Sequence, residues 1–199
     1  MPLPSLILAD HWAPLTRAWS EAFAPFEAVH VHDGDFFALD ADAMVSPANS
    51  FGIMDGGLDA AIRAELGGHV QTDVQARILE RHHGELPVGA AEIVPTHHAR
   101  WPFLVVAPTM RVPESVAHTL NAYLSFRAAL LAVLRHNAAN PAAQIRSMVV
   151  PGLGTGIGAM DARRCAAQMR IAFDHVSKPP RIPSFSMIHD LHQRLRSAL

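Results

Sequence analysis

The amino-acid sequence predicts an α/β fold, with helices on both faces of a mostly parallel sheet. Three observations carry this reading. Short apolar runs of strand length recur along the chain, at Leu6–Ala9, Ala43–Val45, Phe103–Ala107 and Met148–Val150. Between them lie longer stretches whose apolar residues return at helical spacing, the interleaving that parallel sheets require. Two glycine-containing loops follow directly on buried runs, where α/β sheets carry ligand-binding turns.

Leu6–Ala9 is an apolar run ended by Asp10, a residue able to cap the helix that follows. Trp12, Leu15, Trp19, Ala22 and Phe23 then fall on one helical face, and Pro25 stops that helix. Val29 and Val31 alternate with His30 and His32 as in a half-buried strand, and Asp33-Gly34-Asp35 turns the chain. Ala43–Val45 is a buried strand. A helix starts near Leu58 and ends at Gly67-Gly68, and Val70–His83 forms a second, closed by Gly84. Ala91–Val94 and Phe103–Ala107 are two further strands. Val116–His136, rich in alanine and leucine, is the longest predicted helix, broken by Asn137–Pro141. Met148–Val150 is a buried strand, Asp161 opens a helix to His175, and Ser184–Leu199 forms a terminal helix after a proline-rich break.

A chain of 199 residues suits one domain spanning 1–199. Hydrophobic residues make up 50% and charged residues 17%, which excludes a disordered or fibrous chain. The net charge of −2 offers no basic stripe for duplex DNA or anionic lipid, so nucleic acid is not an expected partner. The single cysteine, Cys165, excludes a disulfide framework and a cysteine-rich zinc site, and reads as a small buried residue. No leader and no membrane-length apolar run is present, so the expected compartment is the cytoplasm. His30 and His32 share a strand face, but spacing implies no third ligand, and neither a metal nor a cofactor is expected. No G-x-S-x-G elbow occurs. Trp12 and Trp19 read as core anchors, and Arg163-Arg164 as a solvated pair.

The first loop runs from Ser46 to Gly57 and leads into a helix. Gly56 and Gly57 stand where unpaired N–H groups and the positive end of the helix dipole favour an anion, although they would equally serve a tight turn. The second loop, Gly152-Leu153-Gly154-Thr155-Gly156-Ile157-Gly158, lies between a buried strand and a helix, and its consecutive amides can form an anion-binding nest. Gly154, Gly156, Ala159 and Asp174 also fit the spacing of a dinucleotide fingerprint. That motif should open a βαβ unit, yet the chain after Asp174 is short and carries Pro179, Pro180 and Pro183.

Five elements in order resemble the macro domain family, which binds ADP-ribose. They are Gly34-Asp35-Phe36; Val45-Ser46-Pro47-Ala48-Asn49; Asp55-Gly56-Gly57-Leu58-Asp59; Leu86-Pro87-Val88-Gly89; and Pro151–Gly158. The resemblance covers Asp33 to His175 and implies a three-layer α/β/α sandwich around a mixed, mostly parallel sheet. It implies that Asp35 accepts a hydrogen bond from the adenine amino group, with the Phe36 amide beside it. Ala48 and Asn49 would border the distal ribose. Gly56, Gly57 and the loop Gly154, Thr155, Gly156, Ile157 and Gly158 would cradle the diphosphate. Asp59 matches the aspartate implicated in activating water in the MacroD-type hydrolases, with Asn49 positioning the ribose. Phe173 and Phe185 are the candidates to stack on adenine. Three residues depart from the pattern: Ser46 replaces an asparagine, Asp55 a glycine, and Met160 stands near a usual aromatic. The resemblance implies hydrolysis of an ADP-ribosyl linkage; a non-catalytic ADP-ribose reader, or a binder of another nucleotide, are the alternatives.

Overall fold

The computed structural model describes residues 2–197. The strands are β1 (Ser5–Asp10), β2 (Val29–Asp33), β3 (Ala43–Ser46), β4 (Glu92–Pro95), β5 (Phe103–Val106) and β6 (Ser147–Val150). The helices are α1 (Ala13–Phe23), α2 (Gly57–Leu66), α3 (His69–His82), α4 (Asn121–Ala139), α5 (Ala162–Val176) and α6 (Phe185–Arg196). One sheet runs in the order β2-β1-β6-β3-β5-β4. Every pair is parallel except β4 with β5, so the sheet is mixed and mostly parallel, as expected.

Strand alternation splits the core into two layers. Leu6, Leu8, Val45, Met148 and Val150 face one way and pack with Trp19 of α1, Phe126 of α4 and Met169 of α5. Ala9, Met44, Leu104, Val106 and Val149 face the other way, against Ile62 of α2 and Val74 and Ile78 of α3. The result is a three-layer α/β/α sandwich. The central strands β1, β6 and β3 end together, which gathers the loops that follow them at one edge of the sheet.

Several local expectations are corrected. Helix α4 starts at Asn121 rather than Val116: the Val116 carbonyl accepts the Thr119 N–H at 3.1 Å in a turn, and the Val116 N–H donates to the Gly158 carbonyl at 2.8 Å, which ties that turn to the second glycine loop. Asp10 does not cap α1: the N-cap is Trp12, and Asp10 Oδ1 accepts the Trp12 N–H at 2.9 Å. Trp19 is fully buried and its Nε1 donates to Met169 Sδ at 3.4 Å, but Trp12 is 41% exposed and no core anchor. Phe173 is a core residue, edge-on to Phe26 at 5.0 Å between centroids, and Phe185 is exposed on α6, so neither borders the loops described below. Arg163 is exposed as expected, whereas Arg164 is buried on the inward face of α5. Burial pushes the Cys165 thiol up to about 12, which leaves it an inert packing residue. The Phe36–Ala38 segment is a single 3-10 turn, with Asp35 Oδ1 accepting the Phe37 N–H at 2.9 Å.

Candidate functional site

A cavity of about 360 Å³ opens where β1, β3 and β6 end. Its walls are the Asp10–Trp12 turn, the Pro47–Asp59 segment, the Thr109–Pro113 segment after β5, and the Pro151–Gly158 loop. The volume lies within the range of small-molecule sites, roughly 300–1,000 Å³.

Backbone pairing fixes the first wall. Beyond β3, the Ala107 N–H donates to Ser46 O at 3.0 Å and the Thr109 N–H to Ala48 O at 2.9 Å, so Ser46 to Asn49 runs on beside the segment after β5. The Asn49 carboxamide then organises its own loop. Its oxygen accepts from the N–H groups of Phe51 at 3.0 Å and Ile53 at 3.3 Å, and its nitrogen donates to Ile53 O at 2.7 Å. One Asn49 N–H is left for a ligand.

Two runs of lining residues carry unpaired amides. Helix α2 begins at the N-cap Gly56 without a side-chain cap. Among the described residues, the N–H groups of Gly56 to Asp59 and of Gly154 to Gly158 donate to no protein group. Unpaired N–H groups are tolerated where water or a ligand completes them. Gly57 (φ 56) and Gly154 (φ 75) occupy the left-handed region, which accounts for glycine at both. Gly56 and Gly156 do not. Neither has a positive φ, and a Cβ built on either meets nothing within 4 Å. Turn geometry and packing therefore do not require glycine at these two positions. What glycine supplies there is open space beside the amides.

Asp59 sits in the first turn of α2, buried, and Ser46 Oγ donates to its Oδ1 at 2.6 Å. Burial lifts this carboxyl from 3.8 to about 6, against the opposing pull of the Ser46 hydrogen bond. The charged residues lining the cavity are Asp10, Asp55 and Asp59, with no lysine, arginine or histidine among them. An anionic ligand would thus be held by backbone dipoles rather than by side-chain cations.

The sequence-predicted residues divide in two. Ala48, Asn49, Gly56, Gly57, Asp59, Gly154, Thr155, Gly156, Ile157 and Gly158 all line the one cavity. Asp35 and Phe36 do not: Asp35 is exposed on its turn and Phe36 is buried in the second core layer. They remain neighbours of the cavity, because the Gly34 N–H donates to Asp10 O at 3.1 Å. Met160 is buried beneath the glycine loop. Sequence reasoning missed Asp10 and Trp12, which line the cavity from the end of β1. The available signal was that β1 is a central parallel strand, whose carboxyl end should contribute to any site.

The sequence profile of the Macro domain family matches residues 45–169, well over half of the chain. The chain belongs to the macro domain family. An uncharacterized protein of Aquifex aeolicus (strain VF5) is 29% identical to this macro domain over 141 residues, which is 71% of this chain and 78% of that protein. The macrodomain of Mycobacterium tuberculosis DarG superposes with a TM-score of 0.58 at 20% identity, covering 75% of this chain and 96% of that one. Thermosipho africanus DarTG, solved in complex with ADP-ribose, superposes with a TM-score of 0.57 at 16% identity, covering 90% of this macro domain and 55% of that chain. Among the described residues, no helix is long and apolar enough to cross a membrane.

Proposed function

We propose that this macro domain binds ADP-ribose in the cavity and hydrolyses an ADP-ribosyl linkage. The observation that carries the reading is the two runs of unpaired amides lining one cavity, left open at Gly56 and Gly156, with the buried carboxyl of Asp59 in the same wall. The rows suit a diphosphate, which accepts many hydrogen bonds and here meets no side-chain cation. Asp35 takes the adenine amino group, with the Phe36 amide beside it, and Trp12 walls that end of the cavity. The remaining Asn49 N–H and Ala48 border the distal ribose. Asp59, ionised above about pH 6, takes a proton from the water that attacks the anomeric carbon. The solved DarTG complex with ADP-ribose supports the ligand class.

A second reading, a reader that binds without turnover, is favoured by the engagement of Asn49 in its own loop. The two are separated by titration calorimetry with ADP-ribose and AMP together with a release assay on ADP-ribosylated protein, each run across pH. In the hydrolase, turnover falls as pH drops through about 6, as the Asp59 base is protonated. Affinity for the anionic ligand rises over the same range, because the buried negative charge disappears. Asp59→Ala should lose turnover by about 10²–10⁴-fold and, above pH 6, bind ADP-ribose at least as tightly as wild type, since the same negative charge is gone. Binding without release from any modified substrate would leave the reader. Absence of ADP-ribose binding by folded protein would defeat both.

A further inference from the structure

Ser46 stands where the family pattern has asparagine, and the structure gives it a defined task. It is the last residue of β3, paired through its backbone with Val106 of β5, and only 1% exposed. Its main chain is therefore fixed by the sheet, and its hydroxyl reaches the first turn of α2 to meet Asp59 Oδ1 at 2.6 Å. Among the described residues Ser46 is the only hydrogen-bond partner of the Asp59 carboxyl. The second oxygen, Oδ2, has no protein partner among those residues and is not fully buried, and Asp59 lines the cavity.

We propose that Ser46 is a positioning residue for Asp59, occupying one carboxyl oxygen so that the other is presented to the cavity as the proton acceptor. This rests on the hydrolase reading for its catalytic consequence, but not for its geometry. The hydroxyl works from the rigid sheet side, so the carboxyl cannot rotate without losing its one bond. The charged residues that share the cavity wall with Asp59 are Asp10 and Asp55; α2 itself also carries Arg63 and Glu65, and the helix packed on it, α3, carries His69 and Asp73 among its charged and titratable residues. Burial and the Ser46 hydrogen bond are the influences that act on Asp59.

The test compares wild type with Ser46→Ala and Ser46→Thr. The Asp59 carboxyl is titrated by carbon-detected NMR in ligand-free protein, and release of ADP-ribose from modified protein is measured from pH 5 to 9. A hydrogen bond to a charged group contributes roughly 1.5–3 kcal/mol, equivalent to about one to two pH units. Ser46→Ala should therefore raise the Asp59 midpoint by about that amount, and Ser46→Thr, which keeps the hydroxyl, should restore it. Turnover of Ser46→Ala at pH 7 should fall by more than the roughly two- to tenfold that the shifted midpoint alone gives, and should recover only in part by pH 9, because the ionised carboxylate is no longer oriented; full recovery at pH 9 would overturn the positioning role. A mere staple between β3 and α2 would lower Tm without moving the titration, and that result overturns the inference. A shifted titration with no turnover in wild type would uphold Ser46 while removing the hydrolase reading. An unshifted titration with normal turnover would do the reverse.

Discussion

At the scale of single residues, Asp59 is held against its own preference. A carboxyl with a folded value of about 6 and an unfolded value of 3.8 binds its proton more tightly in the folded state. The sign follows: ionising it costs folding nothing below about pH 3.8, and the cost grows as pH rises and is complete above about 6. Asp59→Asn should therefore be more stable than wild type at pH 8, by about 1–3 kcal/mol, with the gain shrinking as pH falls toward 5. Thermal melts at the two pH values check this, and a pH-independent difference would refute it. Gly156 makes the complementary case. Its backbone is ordinary and its surroundings empty, so Gly156→Val should fold with an unchanged Tm yet lose ADP-ribose affinity at least about tenfold, measured by calorimetry, because the side chain fills the ligand's space. The two glycine loops were legible in the sequence, since each follows a buried strand, whereas Asp59 was marked only by the family resemblance. The role of Ser46 was not legible, because its partner lies thirteen residues on and only the fold brings the two together. Trp12 was misread for a related reason: helical periodicity assigns a residue to a face but cannot say that the helix begins one residue later, at Ala13, which leaves Trp12 as the exposed N-cap.

Among the elements, the strands were read almost to the residue, because runs buried on both faces are continuous in apolar character. Helix boundaries were less legible where tertiary bonds override local preference, as at Val116, whose turn is tied to Gly158. The helices also differ in how firmly they are built in. Helix α5 buries Cys165, Met169 and Phe173, among others, against α1 and α4, whereas α6 buries only Leu195 and leaves Phe185 and Ile188 exposed. The cavity takes no residue from α6. A chain ending before Ser184 should consequently retain ADP-ribose affinity within about twofold and fold cooperatively. A large loss of affinity would mean that α6 supports the site through α5. By contrast Trp19→Ala, which empties the space between α1 and α5, should cost about 3–5 kcal/mol.

Over the whole molecule, the order β2-β1-β6-β3-β5-β4 brings residues from distant parts of the chain to one edge of the sheet. The layer arrangement follows from strand alternation, but the order of strands is a long-range property that the pattern of single strands does not contain. The assembled cavity is lined by three carboxylates and no cation. Salt screens repulsion between those carboxylates and an anionic ligand. Affinity for ADP-ribose should therefore hold or rise between 50 and 500 mM salt, whereas a site built on lysine or arginine would weaken. A steep loss with salt would show that a cation outside the cavity takes part. The two amide rows carry one more consequence, for isotope exchange. In the free protein, the N–H groups of Gly56 to Asp59 and of Gly154 to Gly158 are tied to no acceptor among the described residues and should lose their protons to heavy water quickly, even though both loops spring from the most protected strands. A diphosphate seated between them should slow both segments together. Slowing in one row alone would mean that the ligand bridges less of the cavity than its two walls allow.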